Sequence, residues 1–250
     1  GLGDVYKRQF DKCIYVTSAQ QILHFRQWFK VVELMGYDWY DELVHVPYGT
    51  VSVNGAKLAT RTGIVVLLRD LFGAAIEKVT EIMETKNPAL KGRTDVAEAV
   101  GVGAIVFYYL SNNRIKDIDF WWDRALNFDG DTGPYVQYTY TRCCSVMRKA
   151  GEVAAQPDYN ALLDDEAQLV LRLLARFPED VRAACRTNEP FMITRATTDL
   201  AKAYNKYYYE HRILDGEPGE IAARVQLTDA VRQVIKTGLY LIGMEAPERM

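Results

Sequence analysis

The sequence predicts an α/β segment followed by a longer all-α segment, so the chain as a whole is predominantly helical. Three observations carry this reading. β-Formers concentrate in Cys13–Thr17, Leu43–Pro47 and Thr50–Val53, and no strand signal recurs beyond them. One helical stretch lies between the first two runs, the strand–helix–strand order of a parallel sheet fragment. Beyond Gly63, the stretches 64–86, 94–111, 134–151, 163–177, 190–211 and 221–242 all carry helical patterning. The expected division is therefore 10–63 as the end of an α/β domain, 64–120 as a helical connector and 121–250 as a helical bundle.

The first helix is expected from Gln20 to Met35, where Ile22, Leu23, Phe25, Trp28, Phe29, Val32 and Leu34 recur at helical spacing. Gly36 supplies its carboxyl-terminal cap. Asn54–Gly63 reads as a polar loop between a strand and a helix. Thr94-Asp95-Val96-Ala97-Glu98 opens a helix with acids at its positive end, and Gly101 and Gly103 allow that helix to pack closely. The run Gly130-Asp131-Thr132-Gly133-Pro134 is a firm turn, with Pro134 suited to the first turn of the helix that follows.

The chain begins without Met, and residues 4–9 read DVYKRQ, as would a transposase-end sequencing adaptor translated in frame. Residues 1–9 are accordingly expected to be non-native, with the native upstream portion missing, and are set aside from fold reasoning. Hydrophobic content of 49% and charged content of 25% are ordinary for a globular protein. A net charge of −3 gives no global signature of nucleic-acid binding, so any RNA site must be a local patch. Cys13, Cys143, Cys144 and Cys185 form no C-x-x-C pair and read as reduced thiols of a cytoplasmic protein. No structural metal is expected. Val100–Leu110 is too short an apolar run to span a bilayer, so no membrane association is expected either.

Two stretches carry chemistry. NGAKLATRTG (54–63) places Lys57 and Arg61 in a glycine-containing loop just before a helix start, where cations and free amides can meet phosphate. As an isolated pattern this is weak, because two cations in a glycine-containing surface loop are usually just solvated. The helix after Pro134 and the later DLAKAYNKYYYE (199–210) mix aromatic rings with Arg and Lys, a composition suited to stacking unpaired bases and meeting phosphates.

These stretches resemble arginyl-tRNA synthetases. GPYVQY (133–138) is similar to the opening of that family's anticodon-binding domain, and GAKLATRTG resembles its class I signature loop, Lys-Met-Ser-Thr-Arg-Lys-Gly. IYVTSAQQILHF…HVPYG resembles its later catalytic half, VAEAVGVGAIVFYYLSNNR its connector helix, and LIGMEAPERM its carboxyl terminus. The resemblance runs over nearly the whole chain beyond residue 9. It implies the carboxyl-terminal part of a Rossmann-like class I catalytic domain followed by an all-α anticodon-binding bundle. The implied activity is arginine–tRNA ligation, with ATP (and Mg2+), arginine and an arginine-accepting tRNA as partners, from a cytoplasmic monomer. The family's His-x-Gly-His signature is absent from this chain, so the chain by itself is expected to be inactive.

By the same resemblance, Lys57, Thr60 and Arg61 are the catalytic loop residues, and Gly63 is its glycine. Leu58, Ala59 and Thr62 depart from the motif. Loss of one charge-stabilising group costs about 3 kcal/mol in a transition state. Gln21 is implied to hold arginine, and His24 and His45 to lie near the nucleotide, although both histidines read equally well as core imidazoles. For tRNA, the candidates are Tyr138, Tyr204, Tyr207 and Tyr208 as stacking rings, with Arg142, Arg148, Lys202 and Lys206 for phosphates. Tyr204 and Tyr208 share one helix face and Lys202 and Lys206 another, so at least one tyrosine pair is expected in the core. The acid cluster Asp164-Asp165-Glu166 reads as a solvated helix start rather than a metal site. Two rivals remain open: another class I synthetase with a similar helical tail, such as the cysteinyl type, and a free-standing tRNA-binding or scaffold protein derived from a synthetase.

Overall fold

The computed structural model describes residues 11–53, 56–57, 67–86 and 90–250. β1 (Cys13–Ser18) and β2 (Leu43–Tyr48) pair in parallel, with Cys13 opposite Leu43 and Ser18 opposite Tyr48. Between them α1 (Ile22–Leu34) crosses one face of the pair. It is held there by an aromatic cluster in which the Tyr15 ring meets Phe25, Trp28 and Phe29 at centroid distances of 5.3, 5.0 and 5.9 Å. The expected cap holds: Gly36, at φ 81°, reverses the chain, and the Tyr37 N–H donates back to the Val32 carbonyl. The alternation of β1 sends Ile14 and Val16 to the other face, where both are exposed.

The loop expected over 54–63 begins as a hairpin. β3 (Val51–Val53) pairs antiparallel with β4 (Ala56–Lys57), and residues 54–55 and 58–63 lie outside those described. A strand also recurs where none was expected. β5 (Ile118–Phe120) pairs in parallel with β3, Val51 facing Ile118. With three residues it is too short to show a period of two, and its partner lies far upstream in the chain. The sheet thus receives a strand from beyond the connector helices, α2 (Leu68–Lys86) and α3 (Thr94–Leu110). Those two helices pack closely because Gly101 lacks a side chain: a Cβ there would sit 3.0 Å from the Ala75 backbone.

After the short α4 (Trp122–Ala125), the bundle is built from α5 (Gly133–Ala150), α6 (Asp165–Thr187), α7 (Phe191–Glu210) and α8 (Pro218–Leu241). Thr132 caps α5 by accepting from the Tyr135 N–H at 3.3 Å, and Pro134 sits in its first turn, as the turn motif requires. α6 runs ten residues past the expected end at Phe177. Pro178 removes one backbone donor, but burial of Phe177 and Ala184 continues the helix until Asn188 turns left-handed at φ 53°. The bundle core gathers Val136, Tyr140, Leu200, Tyr204, Tyr207, Ile235 and Leu239, all wholly or almost wholly buried. The terminal segment threads along α5: Gln137 Nε2 donates to the Glu245 carbonyl, Thr141 Oγ1 to that of Pro247 and Arg148 Nη1 to that of Glu248.

Candidate nucleic-acid interface and nucleotide-side residues

Where α5 and α7 run side by side, the exposed surface carries a layered stack. Tyr138 and Arg142, one helical turn apart on α5, meet Tyr208 of α7. The Arg142 guanidinium carbon lies 5.1 Å from the Tyr138 ring centroid and 4.9 Å from that of Tyr208, within cation–π range of both. Arg142 Nη1 donates to Asn205 Oδ1, and Asn205 Nδ2 donates to Thr139 Oγ1 at 2.8 Å. The amide thereby fixes the guanidinium beside both rings. Tyr138 is 44% exposed and Tyr208 37%, and the neighbouring Tyr209 stands 90% clear of the protein. Two aromatic faces around one fixed cation form a surface that can stack unpaired bases and neutralise a phosphate.

The remaining RNA candidates divide. Tyr204 and Tyr207 are fully buried and present no face to a ligand, which corrects their assignment as base-stacking residues. Tyr204 donates its hydroxyl to Thr228 Oγ1 at 3.1 Å, and burial pushes both phenols well above their ordinary range, Tyr207 to about 12. Lys202 is paired with Asp131, Lys206 with Glu166 at 3.0 Å, and Arg148 with the Glu248 carbonyl. These three cations are exposed enough to exchange partners for phosphate, but each must first give up an existing one. Asn205 and Tyr209 lie within the quoted stretch, yet neither was among the candidates; only the packing of α5 against α7 brings Asn205 to Arg142.

In the α/β part, Gln21 ends the short 3-10 turn Ala19–Gln21 that follows the carboxyl end of β1, and stands just ahead of α1 without a side-chain capping bond. Ligands of open parallel sheets bind at that edge. His24 and His45 both meet the Phe25 ring, His24 edge-on at 5.6 Å and His45 stacked at 4.4 Å. His45 Nε2 lies 2.8 Å from Thr17 Oγ1 on the paired strand. Burial first, and the Arg114 charge second, hold the His45 imidazole below its ordinary pKa, so it is neutral near pH 7. Lys57 closes the β3–β4 hairpin strand, while Thr60, Arg61 and Gly63 lie outside the described residues.

Among the described residues, Asp164, Glu166 and His211 bring three ligand-type atoms within 4.8 Å of one another, the set best able to hold a metal ion. Asp164 already caps α6 through the Ala167 N–H at 2.8 Å and lies 3.3 Å from His211 Nε2, and Lys206 neutralises Glu166. Two of the three acids and bases thus already have roles, Asp164 in the helix cap and Glu166 in an ion pair with Lys206. Among the described residues, no helix is long and apolar enough to cross a membrane.

Comparison with known proteins separates the same two parts. Residues 4–122 match the family described as class I (R) tRNA synthetases, catalytic domain, and residues 136–250 match the DALR anticodon binding domain. The chain is 48% identical over 98% of its length to an arginine–tRNA ligase of Clostridioides difficile, and 49% identical over 96% to one of Alkaliphilus metalliredigens. The chain belongs to the arginyl-tRNA synthetase family. It spans less than half of the relatives it matches, 44% and 43% of those two, and corresponds to their carboxyl-terminal part. The arginyl-tRNA synthetase of Thermus thermophilus superposes with a TM-score of 0.88 at 31% identity, covering 96% of this chain and 41% of that one. The Plasmodium falciparum arginyl-tRNA synthetase shares the fold, with a TM-score of 0.82 at 22% identity over 100% of this chain and 43% of that one. A class I catalytic segment followed by a helical anticodon-binding domain is thus the architecture, and the cysteinyl-type alternative falls away.

Proposed function

We propose that this chain supplies the signature-loop side and the anticodon-reading domain of an arginine–tRNA ligase. In that reaction the arginine carboxylate attacks the α-phosphorus of ATP, forming arginyl-adenylate and releasing pyrophosphate. The arginyl group then passes to the 3′ end of the tRNA, releasing AMP. Gln21, at the strand edge, offers an amide carbonyl to the substrate guanidinium, which it can accept without forming a competing ion pair. His24 and His45 flank the nucleotide, with His45 held neutral so that it can both donate and accept. Lys57, Thr60, Arg61 and Gly63 form the loop that meets the β- and γ-phosphates of ATP, and Mg2+ arrives with ATP as its counter-ion. Acting as a monomer in the cytoplasm, the enzyme would use Tyr138, Arg142 and Tyr208 to receive splayed anticodon-loop bases, with Arg148, Lys202 and Lys206 toward phosphates.

The observation that carries this reading is the Tyr138–Arg142–Tyr208 stack, exposed within the part of the chain that matches the anticodon-binding family. Its test is salt-dependent binding of the chain to an arginine tRNA transcript, beside a transcript whose anticodon loop is replaced. A preference for the native loop that persists as salt rises is expected. Equal, weak and steeply salt-sensitive binding to both would reduce the face to a non-specific cationic patch.

A further inference from the structure

The loop 111–117, which joins α3 to β5, touches both parts of the molecule through one side chain. Arg114 Nη1 donates to the Pro47 carbonyl at 2.9 Å, at the end of β2. On its other side Nε donates to the Asn188 carbonyl at 3.1 Å and lies 3.3 Å from Glu189 Oε1, just ahead of α7. The guanidinium fork is therefore shared between the sheet and the bundle, and both Arg114 (25% exposed) and Glu189 (14%) are largely withdrawn from water. The backbone tightens the same joint. The Gly49 N–H donates to the Arg114 carbonyl at 2.8 Å, and the Thr50 N–H to Asp117 Oδ1 at 2.7 Å. A Cβ on Gly49 would stand 2.2 Å from the Lys116 carbonyl oxygen, so the turn and the loop meet backbone to backbone. Asn188 presents its carbonyl here because it is the left-handed residue that ends α6.

The two ends of this bridge lead to the two candidate sites. Pro47 lies two residues beyond His45 on β2, and α7 begins at Phe191 and carries Lys202, Asn205, Lys206 and Tyr208. We propose that Arg114 is a positioning residue that, anchored by Glu189, holds the start of α7 in register with the end of β2 and so ties the RNA-facing helix to the strand carrying His45. The inference rests on the ligase reading for what the two ends do, whereas the bridge itself rests on geometry alone. Such a joint is where occupancy of the bundle face would be felt at the nucleotide side, because one guanidinium bonds both parts and a slip between them breaks one of its bonds.

The test uses the whole chain carrying Arg114→Gln, Glu189→Gln or the conservative Arg114→Lys, and reads two quantities by NMR: the His45 ring titration and amide exchange at Gly49 and Thr50. Among the described residues, the Thr17 hydroxyl, the Phe25 ring and the Arg114 charge act on His45, and only the last is altered at position 114. Arg114→Gln is expected to move the His45 titration upward and to speed Gly49 and Thr50 exchange at least about tenfold, while amides of the bundle core around Tyr204 stay protected. Glu189→Gln is expected to speed exchange at the same two amides. Arg114→Lys is expected to restore the titration, because the charge returns, but not the exchange, because a single ammonium cannot serve Pro47, Asn188 and Glu189 together. The proposal is overturned if Arg114→Gln leaves both quantities unchanged, or if it raises exchange uniformly through the chain, which would make Arg114 a general stabiliser. Neither readout involves RNA, so a failure of anticodon recognition does not register in them.

Discussion

Tyr204 and Tyr138 sit in adjacent helices and carry the same ring, yet the structure assigns them opposite consequences when removed. Tyr204 is wholly buried among α5, α7 and α8, so Tyr204→Ala should cost about 3–5 kcal/mol, the range for deleting a core aromatic. Tyr204→Phe keeps the ring and loses the hydroxyl's bonds to Thr228 and Cys143. The Thr228 hydroxyl still donates to the Arg224 carbonyl at 2.9 Å and only the weak Cys143 thiol loses a partner, so the cost should be about 0.5–1.5 kcal/mol. Tyr138→Ala removes a half-exposed ring and one cation–π contact, about 1 kcal/mol or less of stability. Its cost should appear instead in RNA affinity, at about 1–3 kcal/mol for a stacked base, or roughly 5- to 150-fold. Urea denaturation followed by far-ultraviolet circular dichroism measures the first quantity, and fluorescence anisotropy with a labelled anticodon stem-loop the second. The reasoning fails if Tyr138→Ala unfolds the bundle as readily as Tyr204→Ala does, or if Tyr204→Phe weakens RNA binding as much as Tyr138→Ala.

Three further outcomes are expected. Gly101→Ala drives a methyl to 3.0 Å from the α2 backbone at Ala75, and backbone retreats only by separating the helices, so the urea midpoint should fall by the equivalent of about 1–3 kcal/mol; an unchanged midpoint would mean α2 moves freely. His45 has a folded pKa below its unfolded one, so its contribution to stability is fully present above the unfolded value and is lost as pH falls through the folded value. Urea midpoints taken from pH 7.5 down to 5 should therefore decline less steeply in His45→Gln than in the parent, and parallel declines would contradict the assignment. Asp164→Ala removes the α6 cap and the contact with His211, and should cost about 0.5–2 kcal/mol in thermal unfolding, whereas Asp164→Asn, which can still cap, should recover most of it.

The candidate sites were partly legible. The GDTGP turn, Gly36 and the glycines of α3 are local signals, because each is a backbone requirement that only certain residues meet. The stretch DLAKAYNKYYYE was recognisable as aromatic and cationic, but its tyrosines occupy so much of the helix circumference that periodicity alone could not say which face is buried. It paired Tyr204 with Tyr208, whereas α5 and α8 close over Tyr204 and Tyr207 and leave Tyr208 at the rim beside Arg142. β5 escaped notice because three residues carry no period, and Arg114 because nothing near it in sequence announces partners at Pro47 and Glu189.

The sequence by itself determined the order of the two parts, the helix boundaries that depend on turns and caps, and the family to which their motifs point. These are properties of contiguous residues, where hydrogen-bond spacing and side-chain period act over a few positions. Only the tertiary structure decided which rings face solvent, which cations are already paired, and that one arginine bonds both the sheet and the bundle. Those outcomes depend on groups brought together from distant positions, where burial and charge are set by whatever neighbour the fold supplies.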